Sequence, residues 1–207
     1  MLVMKFGGTS VESAAAIDRA AKIVQSRLPQ QPVVVVSAMA KITDQLLAMG
    51  QHAGSGQRDR ALELSRTVRE RHYNTAGELL GTGIFTQFHA ELEAEFDALD
   101  ELLRGIAAVG ELTPRTTDNV LSFGERLSSK IVTQAFSARG IDAYLVDARE
   151  CIITDATHTR AVPMFDITNP RLQAKMKPLL TKNLVPVMGG FIGSTRDGIT
   201  TTVGRGG

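Results

Sequence analysis

The chain has 207 residues, with 23 Lys+Arg against 22 Asp+Glu and a formal net charge of +1. Charged residues at 22% and hydrophobic residues at 43% exclude a disordered, collagen-like or coiled-coil chain, and near-neutrality gives no general pull toward nucleic acid or an anionic membrane. A single cysteine, Cys151, cannot form an internal disulfide, and no apolar run reaches the ~20 residues of a membrane helix, so one compact cytoplasmic unit is expected.

Leu2 to Phe6 reads as a short buried strand ending at Gly7-Gly8. Ser10 is placed to cap a helix whose inner stripe is Ile17, Ala21, Val24 and Leu28, and Pro29 and Pro32 stop it. The unbroken run Val33-Val34-Val35-Val36 suits a parallel strand covered on both faces, which makes the first segment a βαβ unit. A helical region over about 43–140 follows. Thr43 or Asp44 starts a helix that ends at Gly54-Ser55-Gly56. Helical spacing continues from Ala61 to Leu79, Gly81 and Gly83 punctuate it, and a second stripe runs from Phe85 to Leu103. The acidic positions Glu91, Glu93, Glu95, Asp97 and Glu101 read as a solvated face. Thr113-Pro114 opens a further helix that stops at Gly140.

Strand signals return at Ala143–Val146, 152–154 and 161–165, and Pro170 opens a short helix. The apolar run 184–188 leads into Gly189-Gly190-Phe191-Ile192-Gly193, and Arg196-Asp197-Gly198 marks a hairpin. Strands and helices in this order predict an α/β fold, a mainly parallel sheet with helices on both faces.

Ligands of open parallel sheets bind beyond the carboxyl ends of the strands, and three such ends carry suggestive residues. At the first, Gly7 and Gly8 let backbone N–H groups approach an anion ahead of a helix N-terminus, and Lys5 supplies a mobile positive charge. The alternatives are a plain tight turn, and a lysine whose stem covers the sheet edge. At the second, Ser37 and the nearby Thr43 either contact a polar ligand or cap the following helix. At the third, the glycines at 189, 190 and 193 together with Gly204-Arg205-Gly206-Gly207 suggest close backbone approach to a ligand, with a guanidinium to grip a carboxylate. Gly124-Glu125-Arg126 adds charges at a glycine inside a helix, with a surface ion pair as the plain reading. There is no Walker-type phosphate loop, no full Gly-x-Gly-x-x-Gly after the first strand and no hydrolase elbow. The four histidines lack metal-ligand spacing, so no metal site is expected, and Cys151 reads as core.

Four segments, taken together, resemble the signature regions of the aspartate kinases: 5–11 (KFGGTSV), 36–39 (VSAM), 122–128 (SFGERLS) and 201–207 (TTVGRGG). They occur in the family's order and span essentially the whole chain. The resemblance implies the amino-acid kinase (carbamate kinase-like) fold and ATP-dependent phosphorylation of the aspartate side-chain carboxylate, the entry to lysine, threonine and methionine synthesis. It implies ATP with Mg²⁺ as the phosphoryl source, L-aspartate as partner, and a homo-oligomeric parent enzyme. By position it places Lys5 near the transferring phosphoryl group as the catalytic residue, with Gly7 and Gly8 as phosphate donors. Ser37 and Thr43 would contact the amino acid, Glu125 its ammonium group and Arg205 its α-carboxylate. In the family the segment ending at Gly207 continues into a nucleotide-binding half and regulatory domains. Residues 1–207 are therefore expected to be the aspartate-binding N-terminal part of the kinase domain, truncated before the nucleotide-binding half and with little turnover alone. Two alternatives stand beside this: a non-catalytic module that binds aspartate or another subunit, and a different amino-acid kinase such as acetylglutamate kinase. Glu125 speaks against the last, because an acylated amine carries no charge to pair.

Overall fold

The computed structural model describes residues 1–204. The valine run forms β2 (Pro32–Val36), which pairs in parallel with β1 (Leu2–Phe6) on one side and β4 (Val185–Gly189) on the other; β3 (Ala143–Val146) pairs in parallel with β4. The order is β1-β2-β4-β3. Alternate side chains divide between two layers, as the pleat requires. Val34, Val36 and Val187 join the main core with the large helical layer, whereas Val33, Val146 and Met188 join a smaller core with Cys151 and Met176. The expected parallel sheet with helices on both faces is what forms. The first strand differs from its reading: β1 is an edge strand, and Val3 is 60% exposed.

The large layer holds α1 (Ala14–Gln25), α2 (Ile42–Gly54), α3 (Arg58–Val109) and α4 (Pro114–Ala138). Helix α1 begins later than expected. Ser13, not Ser10, accepts from the Ala16 N–H, and Ser10 lies in a 3-10 turn over Gly8–Ser10. The helix also ends before Leu28, which opens a second 3-10 turn. Helix α4 starts as read, with Thr113 accepting from the Thr116 N–H and Pro114 in the first turn.

Helix α3 reverses at Gly81, whose φ of 66° and ψ of 167° no L side chain adopts readily. The two arms fold against each other. Arg69 reaches Glu93 at 2.6 Å and Asp100 at 3.0 Å, and the Ser65 hydroxyl donates to Asp100 at 2.5 Å. The acidic run is thus not simply a solvated face, because Glu95 turns inward to Arg126 at 2.5 Å and Lys130 at 3.5 Å. Between the arms His72 is fully buried, its Nδ1 2.8 Å from the Val68 carbonyl and its Nε2 without a partner.

The other sheet face carries the short α5 (Ala148–Cys151) and α6 (Phe165–Thr181). Here two expectations fail. Residues 152–154 and 161–164 hold only isolated bridges, Ile153 with Ser194 and Thr154 with Pro163, and Phe165 belongs to α6. Helix α6 starts at Phe165, with Pro170 inside it rather than at its head. The predicted hairpin forms as β5 (Ile192–Ser194) and β6 (Thr200–Thr202), antiparallel. No helix among the described residues is long and apolar enough to cross a membrane.

Candidate active site

Parallel strands β1, β2 and β4 all end at the same edge of the sheet, and their following loops enclose a cleft of about 330 Å³. Lys5, Gly8, Ser37, Thr43 and Glu125 all line it. Residues that the sequence had scattered over a hundred positions are thereby brought to one place. Lys41, Asp44, Phe191, Val203 and Gly204 also line the cleft. Gly7 is exposed at the strand end and is not part of the lining. Arg205 lies outside the described residues.

Backbone hydrogen bonds fix the two glycine- and serine-bearing loops to each other. The Ser37 N–H donates to the Phe6 carbonyl at 3.1 Å and the Ala40 N–H to the Gly8 carbonyl at 3.2 Å. The Ser128 hydroxyl on α4 donates to the Ser37 carbonyl at 2.8 Å. Arg71 on α3 spans both loops, donating to the Ala40 carbonyl at 2.8 Å and the Glu12 carbonyl at 3.1 Å. The capping alternative for Ser37 and Thr43 fails, because α2 begins after Lys41, in left-handed conformation with φ of 69°, and has no side-chain cap. The helix-dipole argument at Gly7-Gly8 fails as well. These glycines lead into a 3-10 turn, and α1 begins only at Ala14.

Glu125 is the chemically distinctive residue. It is 2% exposed. Its Oε1 accepts from the Ala38 N–H at 3.0 Å, while Oε2 is buried with no partner. Burial pushes its pKa up from 4.5 to about 7, against the opposing pull of the Ala38 N–H. The surface ion pair with Arg126 does not exist. Arg126 turns the other way, over the Phe123 ring at 4.1 Å and toward Glu95.

Two glycines make room for this carboxylate. A Cβ on Gly189 would stand 2.7 Å from the Glu125 Cβ, and one on Gly124 2.7 Å from the Ala38 Cβ. The end of β4 and the loop after β2 therefore both press directly on α4, carrying Glu125 to the sheet edge. A buried carboxylate oxygen without a donor is costly, and a cation placed in the cleft is the simplest way to satisfy it. Lys5, at the end of β1, contributes a positive charge to the same cleft. The arrangement offers one buried negative charge and one positive charge to a small ligand. Among the described residues no group of three or more His, Cys, Asp or Glu converges to hold a metal ion.

A profile of the amino acid kinase family matches residues 1–207. Over 99% of its length the chain is 40% identical to Aspartokinase 3, chloroplastic, of Arabidopsis thaliana, of which it covers 36%. It is 34% identical to the aspartokinase of Chlamydia trachomatis, covering 43% of that protein. Among solved structures it superposes on E. coli aspartokinase III in complex with aspartate and ADP (R-state) with a TM-score of 0.89 and 31% identity, over 100% of this chain and 44% of that one. The form of the same enzyme in complex with lysine and aspartate (T-state) gives 0.90 and 30%. The chain spans less than half the length of these relatives.

Proposed function

The chain belongs to the amino acid kinase family, and from that membership we propose that residues 1–207 form the aspartate-binding part of an aspartate kinase, which phosphorylates the side-chain carboxylate of L-aspartate with ATP. The observation that carries this reading is the buried, half-satisfied carboxylate of Glu125 facing the cleft that Lys5 also lines. The likeness to E. coli aspartokinase III, solved with aspartate and ADP, supports it.

In the proposed reaction Glu125 accepts the α-ammonium group, using the oxygen that Ala38 leaves free. Ser37 and Thr43 offer hydroxyls to the amino acid, and Arg205 pairs with its α-carboxylate. The side-chain carboxylate then faces Lys5 and the Gly7-Gly8 turn. One of its oxygens forms a bond to the γ-phosphorus as the bond from that phosphorus to the ADP oxygen breaks, giving 4-phospho-L-aspartate. Such a transfer needs positioning and charge stabilisation rather than a covalent protein intermediate. Lys5 offsets negative charge on the moving phosphoryl group. Mg²⁺ would neutralise phosphate charge in the complete enzyme. The remaining length of the relatives suggests that nucleotide binding and turnover need residues beyond these 207.

A calorimetric titration of residues 1–207 with L-aspartate tests the reading. Binding of L-aspartate but not of succinate, which lacks the ammonium group, is expected, and Glu125→Gln should weaken it by about 1.5–3 kcal/mol. Equal affinity for both ligands would refute the role of Glu125. The same titration addresses acetylglutamate kinase as the second reading, because N-acetyl-L-glutamate should not bind.

A further inference from the structure

Two turns before Glu125, on the same side of α4, stands Asp118. Its carboxylate is 0% exposed and fully used. Oδ1 accepts from the Thr202 hydroxyl at 2.5 Å and the Thr159 N–H at 3.0 Å, and Oδ2 from His158 Nδ1 at 2.7 Å. None of these donors is on α4. They come from β6 and from the loop that packs beside it, whose Ala161 N–H donates to the Thr202 carbonyl at 2.9 Å. A buried carboxylate with several donors holds them in fixed geometry, because losing any one exposes the charge to an unfavourable medium. Immediately after Thr202, Val203 and Gly204 line the same cleft as Glu125, and the Val203 N–H donates to the Phe191 carbonyl at 3.1 Å.

We propose that Asp118 is a positioning residue of the aspartate cleft: through Thr202 it ties the wall at Val203–Gly204 to the helix that carries Glu125, and so sets the spacing between the two sides of the site. One helix face thus presents one carboxylate to the ligand and uses a second to place another part of the lining. The ligand named here rests on the aspartate reading above; the mechanical tie does not.

Thr202→Val keeps the side-chain shape and removes the hydroxyl donor, and Thr202→Ser returns it. In residues 1–207, Thr202→Val should raise amide hydrogen exchange at Val203 and weaken L-aspartate binding, each about tenfold, with exchange along α4 unchanged. Thr202→Ser should restore both. Wild-type exchange at Val203 in Thr202→Val, or a general rise that includes α4, overturns the proposal. If the wild-type chain binds no L-aspartate, the functional reading fails, and the exchange measurement still decides the role of Asp118.

Discussion

Replacing Glu125 by Gln should make the ligand-free protein more stable at neutral and alkaline pH. Folding raises the carboxyl pKa from 4.5 to about 7, so the folded state holds a proton that the unfolded state releases across that window. Stability then falls as pH rises from 4.5 toward 7. A shift of about 2.5 units at about 1.4 kcal/mol each makes the ionised carboxylate cost about 3 kcal/mol above pH 7. Glutamine keeps the shape and can still accept from the Ala38 N–H, so the variant should match wild type near pH 4 and exceed it by about 3 kcal/mol at pH 8. Urea unfolding across pH 4–8 reads this directly, and the difference between the two proteins cancels every other titrating group. A variant no more stable than wild type at pH 8 would refute the reasoning and would mean that Glu125 already has a counter-charge in the free protein. Ligand binding is linked to the same proton. Because the ammonium group favours the carboxylate form, L-aspartate affinity should fall about tenfold per pH unit below pH 7 and level off above it.

His72 titrates with the opposite sense. Burial lowers its pKa from 6.5 to about 4, so the unfolded state takes up the proton first and stability drops as pH falls through that window; His72→Phe should remove about 3 kcal/mol of this acid sensitivity, seen as a flatter unfolding profile between pH 6.5 and 4. In Glu125→Gln the acid limb of His72 should stand out unmasked, since the two slopes oppose each other between pH 4.5 and 6.5 in wild type. Gly189→Ala forces a Cβ to 2.7 Å from that of Glu125 and should cost about 1–3 kcal/mol by overpacking while weakening L-aspartate binding in calorimetry. In a full-length aspartokinase carrying these residues, Lys5→Met should lower kcat more than it raises the aspartate KM; near-normal turnover with a reduced melting temperature would leave Lys5 only the role of covering the sheet edge.

Local signals in the sequence were sufficient where the determinants are local. The valine run specified β2, Thr113-Pro114 the start of α4, and Arg196-Asp197-Gly198 the hairpin. They misled where tertiary packing decides. Residues 152–154 and 161–164 are apolar enough for strands, yet they only bridge to the hairpin and to each other. Pro170 looked like a helix start because a proline is tolerated in the first turn, but α6 begins at Phe165 and takes Pro170 into its interior, where the ring forgoes a helical hydrogen bond. In the site, the family resemblance pointed to Lys5, Ser37, Thr43 and Glu125, whereas residue type alone left Ser37 and Thr43 as caps and Glu125 in a surface ion pair. The depth of Glu125 was not legible, since it depends on Gly189 approaching from a distant strand. Asp118 could have been noticed from its spacing to Glu125 on one helix face. Its partners, His158 and Thr202, are far along the chain, and no local pattern links them.

The sheet order has a consequence for how the molecule comes into being. Strand β4 is the last of the four to leave the ribosome, yet it belongs between β2 and β3. Until it emerges, β2 and β3 each have an open edge that invites pairing with other chains. The glycine pair 189–190 arrives with the same strand, so the cleft comes into existence in the step that closes the sheet. A nascent chain therefore passes through a stage with most of its helical layer synthesised and no site at all. Holding chaperones should engage this protein most during that interval, and slowing translation just before β4 should lengthen it and lower the soluble yield.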